Sequence, residues 1–177
     1  MALGQISFSQ ASATEDNNPS STKFIPYNDS KYGLSFEYPA NWNITERESG
    51  IWFSSLDGTG NIGFQIQPAQ GKSLQELVKI QLDQYNVEFK DFRVLSSNST
   101  TLAGNAANRT DYSFKTEEPK YLGTSLFGTD ILNFLATAIS TIRNDNLYTV
   151  TYISTADTFD IFLPIAEKMM SSIRIQQ

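Results

Sequence analysis

From residue 24 onward, short β-branched and aromatic runs are separated by Gly, Asn, Asp and Pro, the texture of strands joined by turns. In Leu34-Ser35-Phe36-Glu37-Tyr38 apolar residues recur at every second position, so Leu34, Phe36 and Tyr38 share one face until Pro39 ends the run. Strands are also predicted over 41–45, 51–55 and 61–67, the last with Ile62, Phe64 and Ile66 on one face. The Asp57-Gly58 turn joins the latter two as a hairpin. At 73–85 the spacing becomes helical: Leu74, Leu77, Val78, Leu82 and Tyr85 line one side, and Ser73 with Glu76 forms a capping box. Strands over 92–97 and 107–115 flank the Leu102-Ala103-Gly104-Asn105 turn, and 117–128 reads as loop. Segment 132–143 carries both strand and helix signals. The turn Asn144-Asp145-Asn146 and the run Tyr148 to Tyr152 after it decide for strand, turn and strand. The end, 157–173, is helical, with Phe159, Phe162, Leu163, Ala166, Met169, Met170 and Ile173 as its apolar face. Pro164 is expected to split it, opening the main helix as its first residue. The chain shows no internal repeat.

Residues 1–22 lack periodicity and are rich in Ser, Ala, Thr, Asn and Gln, so they bury too little to offset ordering entropy. Within them Ala11-Ser12-Ala13 reads as an A-x-A cleavage site. The expectation is an unstructured tail or signal-peptide remnant over 1–22, a single folded domain over 23–177, and a secreted, envelope-associated protein. No apolar run reaches the roughly 20 residues of a membrane-spanning helix.

Composition narrows the chemistry. Among 177 residues there are 13 Lys and Arg, 19 Asp and Glu, no His and no Cys, giving a net charge of −6. That balance argues against a nucleic-acid partner, which requires clustered cations. The missing residues remove His-based triads, thiol nucleophiles, iron–sulfur clusters and the usual zinc sites. Carboxylates, tyrosines, lysines and hard cations remain.

Tyr32-Gly33-Leu34-Ser35-Phe36-Glu37-Tyr38-Pro39-Ala40-Asn41-Trp42 resembles the opening motif of the PsbP-like domains. The stretch Tyr148 to Tyr152, with Ala156, Phe159, Leu163-Pro164, Met169 and Ser172-Ile173, is similar to that family's closing strand and helix, and the capped helix at Ser73 falls where the family has one. The resemblance spans about residues 24–175. It implies an α+β fold, an α/β/α sandwich around a mainly antiparallel sheet. Together with the signal-like tail, a fold whose members mostly bind gives the expectation of a non-catalytic accessory or assembly domain that binds a membrane-associated protein complex, with no cofactor expected other than the calcium considered below. Tyr38, Pro39 and Trp42 are the structural part of the motif, a strand end and a core anchor.

Other constellations have plain structural readings beside their functional ones. Gly58-Thr59-Gly60-Asn61-Ile62-Gly63 fits the dinucleotide pattern G-x-G-x-x-G, yet a strand is predicted after it where phosphate binding needs a helix N-terminus. Asp57 and Asn61 in the same turn are candidate oxygen ligands for calcium or another hard cation, fewer than the 6–8 that calcium takes. Glu46 and Glu48 would share a face of an extended segment and serve a carboxylate-based extracellular hydrolase. N-x-S/T sequons stand at Asn28, Asn43, Asn98 and Asn108, compatible with an extracellular glycoprotein.

Overall fold

The computed structural model describes residues 22–30, 33–47, 50–122 and 125–176. Of the tail expected over residues 1–22 all but Thr22 lies outside these, as do Tyr32 and Glu48. In chain order the elements are β1 (Phe24–Asp29), β2 (Leu34–Pro39), β3 (Asn43–Arg47), β4 (Gly50–Ser54), β5 (Gly60–Pro68), α1 (Leu74–Glu88), β6 (Lys90–Leu102), β7 (Asn105–Leu122), β8 (Ser125–Arg143), β9 (Asn146–Thr155), α2 (Phe159–Ser172) and β10 (Arg174–Ile175). Seven strands form one sheet in the order β3-β4-β5-β9-β8-β7-β6, and β1-β2-β10 form a second; every strand pair is antiparallel.

The alternation of side chains divides the large sheet into two buried faces. On one face Ile62, Phe64, Ile139, Val150 and Tyr152 meet Phe162, Ile165, Ala166 and Met169 of α2, and Leu34 and Phe36 of the small sheet join the same cluster. Phe36 stacks on Phe64 at 4.1 Å between ring centroids, while Phe53 meets both edge-on. The opposite face carries Tyr112, Phe114, Ala136 and Ala138 beneath Tyr85 of α1 and Phe89 just after it, and Phe89 stacks on Phe114 at 4.2 Å. Leu77 of α1 packs on Leu147 in a third, smaller cluster. Helix, sheet and helix therefore form an α/β/α sandwich, with the small sheet sharing the α2 side.

Local chemistry explains the element boundaries. Ser73 Oγ accepts the Glu76 N–H, and the Glu76 carboxylate accepts the Ser73 N–H at 2.8 Å, the reciprocal capping box expected from the sequence. In the glycine run, Gly58 adopts φ +74° in the β4–β5 turn. A Cβ at Gly60 would lie 2.7 Å from the Phe162 ring, and one at Gly63 would lie 2.7 Å from the Trp52 indole. These glycines thus let two aromatic rings rest on bare backbone, and β5 continues directly from them in place of the helix a dinucleotide site requires.

Two expectations are corrected. Residues 117–128 were expected to be loop, but β7 runs on to Leu122 and β8 begins at Ser125, with Glu117 opposite Ile131 and Leu122 opposite Ser125. The last β6 pair is Lys90 with Lys115 and the last β9 pair is Phe134 with Thr155, so this end of the hairpin is a two-stranded ribbon. Among the described residues such a ribbon has no third strand needing the missing N–H of Pro119. The second correction is that Pro164 does not split the last helix: α2 is continuous and holds Pro164 inside it. Proline within a helix costs about 3 kcal/mol. Burial of Phe162, Ile165, Ala166, Met169 and Met170 on the sheet outweighs that cost.

Replacing Gly60 or Gly63 by Ala forces a methyl group into an aromatic ring, and each change should lower stability by about 1–3 kcal/mol. Urea unfolding of the two variants measures this, and wild-type midpoints would show that the rings move aside freely.

Candidate functional site

The larger of the two main grooves lies on the α2 side, between the β6–β7 hairpin tip and the end of α2. Its volume is about 690 Å³ and its lining includes Leu102, Ile139, Met170 and Ile173, all buried. Arg109, Glu167 and Arg174 supply its charge. The Arg109 Nε donates to Asp111 Oδ1 at 3.3 Å, and its Nη1 lies 3.9 Å from Glu167 Oε1. Asp111 in turn accepts from Thr137 Oγ1 and Ser96 Oγ, both at 2.7 Å, so one carboxylate ties β6, β7 and β8 together behind the arginine. Arg174 Nη1 donates to the carbonyls of Ile173 at 2.8 Å and Ser171 at 3.3 Å, at the negative end of the α2 dipole. Intramolecular hydrogen bonds therefore hold both guanidiniums in place. This constellation was missed in the sequence. Its only local signal is the Arg109-x-Asp111 spacing, which places both residues on one face of a strand.

A second groove of about 520 Å³ runs between α1 and β6, with Val78, Leu82, Phe92 and Val94 among its lining residues. Glu46 lines neither groove; it stands exposed on β3, and its proposed partner Glu48 lies outside the described residues. Asp57 Oδ1 accepts from Ser55 Oγ, Thr59 N–H and Thr59 Oγ1. Burial alone would raise the Asp57 pKa, but the Ser55 and Thr59 hydrogen bonds bring it below its ordinary value. Asn61 Oδ1 accepts from Ser54 Oγ and its amide donates to the Gly58 carbonyl, so both residues hold the β4–β5 turn together. Among the described residues no group of three or more carboxylates is placed to hold a metal ion.

Burial raises two tyrosines: it pushes Tyr152 up to about 12 and drives Tyr112 well above the usual phenol range. The Tyr152 hydroxyl donates to the Phe159 carbonyl at 2.7 Å, joining β9 to the start of α2. In the family-like motif, Pro39 is fully buried, Tyr38 packs on Phe53 at 4.9 Å, and Trp42 meets Phe162 edge-on at 6.2 Å. Of the sequon asparagines, Asn28, Asn43 and Asn98 are exposed, whereas Asn108 is half-buried and bonded to Ser97 and Thr110.

A three-layer α+β sandwich of this topology is the PsbP/Mog1-like fold, and comparison with solved structures shows that fold directly. Cyanobacterial PsbP (CyanoP) from Synechocystis sp. PCC 6803 superposes with a TM-score of 0.62 at 15% identity, covering 88% of this chain and 94% of that one. LpqN, involved in cell envelope biogenesis of Mycobacterium tuberculosis, gives 0.56 at 10% identity over 89% and 92% of the two chains. The Ran-binding protein Mog1p of Saccharomyces cerevisiae gives 0.56 at 8% identity over 88% and 96%. No family model and no curated protein matches the sequence.

The Asp111 carboxyl lies below its ordinary pKa: burial alone would raise it, but hydrogen bonds from Thr137 and Ser96 and the charge of Arg109 outweigh that. A carboxylate with a depressed folded pKa stabilises the fold above its unfolded pKa and stops doing so as pH falls through the folded value. The stability lost in Asp111→Asn should therefore be full above about pH 4 and shrink as pH falls further. Urea titrations at stepped pH read this difference, and a gap that does not change with pH would contradict it.

Proposed function

We propose that this chain is a non-catalytic accessory domain that acts outside the cytoplasm by docking on a membrane-associated protein complex. The observation that carries the reading is the α2-side groove, where buried apolar residues adjoin two arginines already fixed by hydrogen bonds. Apolar anchors beside ordered arginines are the composition of protein-recognition hot spots. The groove is bounded by secondary-structure elements and one tight hairpin, which supports recognition with little rearrangement. Two of the structurally similar proteins have roles that accord with this: one binds Ran and another is involved in cell envelope biogenesis. The A-x-A site at Ala11-Ser12-Ala13 supports export. No described helix is long and apolar enough to cross a membrane, and the partner complex would supply attachment.

The test is cross-linking of the protein to membranes of its own cells, with wild type and Arg174→Glu compared at equal, verified folding. Wild type should capture a reproducible protein partner and the variant about tenfold less of it, the size of a hot-spot loss. Equal capture by both would remove this groove from the docking reading.

A further inference from the structure

The large sheet ends on two unequal edges. One edge, β3, is five residues long and carries Glu46 and Arg47. The other, β6, is 13 residues long, and from Val94 to Leu102 it contains neither a charged residue nor a proline. Natural edge strands are kept from pairing by shortness, charge, proline or bulges. The register shifts of β6 lie between Lys90 and Arg93 and between Val94 and Ser96, and its pairing with β7 is unbroken from Ser96 to Leu102. Seven regular, uncharged residues are thus presented along an edge that no other strand occupies among the described residues. Val94 and Leu95 beside them are 45% and 58% exposed, and the α1–β6 groove lies along the same strand.

We propose that this edge is a homodimer interface, in which β6 pairs antiparallel with β6 of a second copy about a two-fold axis at Ser99. The register follows from the regular stretch, whose middle residue is Ser99. It sets Ser99 against Ser99, Asn98 against Thr100, Ser97 against Thr101 and Ser96 against Leu102. No charge meets its like in this arrangement. That matters for a chain of net charge −6, because two copies repel across most of their surfaces and come together at least cost along an uncharged edge. An isologous contact also closes on itself, so it yields a dimer and no fibre. The second copy continues the sheet and shields Val94, Leu95 and the open side of the α1–β6 groove, which accounts for apolar side chains left half in water.

Two measurements test the interface on the full chain. In sedimentation equilibrium the wild-type mass should rise with concentration from 19.8 kDa towards twice that value. The double variant Ser97→Lys/Thr101→Lys, which sets lysine against lysine across the axis, should remain at 19.8 kDa with unchanged circular dichroism, while Thr45→Lys on β3 behaves as wild type. The chain has no cysteine, so Ser99→Cys provides a single thiol. Opposed residues in an antiparallel pair have Cα atoms about 4.5–5.5 Å apart, within disulfide range, so mild oxidation should cross-link Ser99→Cys but not Val87→Cys on the exposed side of α1. A wild-type mass of 19.8 kDa at every concentration overturns the proposal and leaves the edge to a foreign extended segment. Equal cross-linking at both cysteine positions overturns it, as does protein isolated from its own cells with a glycan on Asn98, which would occupy the edge.

Discussion

Two aromatic rings rest against bare backbone on opposite faces of the same strand, Phe162 over Gly60 and Trp52 over Gly63, and the layering of the molecule depends on that double contact. Helix α2 approaches the sheet as closely as it does because β5 offers no Cβ beneath Phe162. The indole of Trp52 covers the other face one turn of the pleat further on. Interiors are packed at crystal density, so a methyl group at Gly60 presses on the buried Phe162 ring, and one at Gly63 displaces the half-buried Trp52 indole. The same glycine run that imitates a phosphate loop in sequence is therefore explained by the left-handed turn at Gly58 and by ring packing at Gly60 and Gly63.

From this strand outward the two faces serve different ends. The α2 face carries the largest apolar cluster, extends through the stacked Phe36 and Phe64 into the small sheet, and finishes in the Arg109 and Arg174 groove. The α1 face is held by stacked aromatics near the end of the helix, Phe89 on Phe114 and Phe114 on Phe134. Its outer border is β6. A groove and an open edge thus arise where each layer stops: one at the end of α2, with fixed charge, and one along an uncharged strand stretch.

Local elements were legible in the sequence because local physics decides them. The capping box at Ser73, the alternation in Leu34 to Tyr38 and the turn at Asn144-Asp145 each need only neighbouring residues, and the structure has all three. The opening motif also pointed to the PsbP-like sandwich, which the solved structures show. Features set by distant residues were not legible. The ribbon beyond Lys115 is set by the pairing of β7 with β8, partners distant from any local pattern, so its Glu-, Pro- and Gly-containing sequence resembles a loop. The continuity of α2 through Pro164 is decided by its burial on the sheet, not by propensity. Arg109, Glu167 and Arg174 converge only because α2 crosses the end of the β6–β7 hairpin, and Arg109 is oriented by Thr137 and Ser96 acting through Asp111.

The central claim is that the α2-side groove is where this domain meets its partner. Hydrogen–deuterium exchange, compared at one protein concentration with and without membranes from its own cells, tests it most directly. Slowed exchange confined to residues 101–109 and 167–175 is the predicted result. Slowed exchange in α1 and β3 with the groove unchanged would contradict the account.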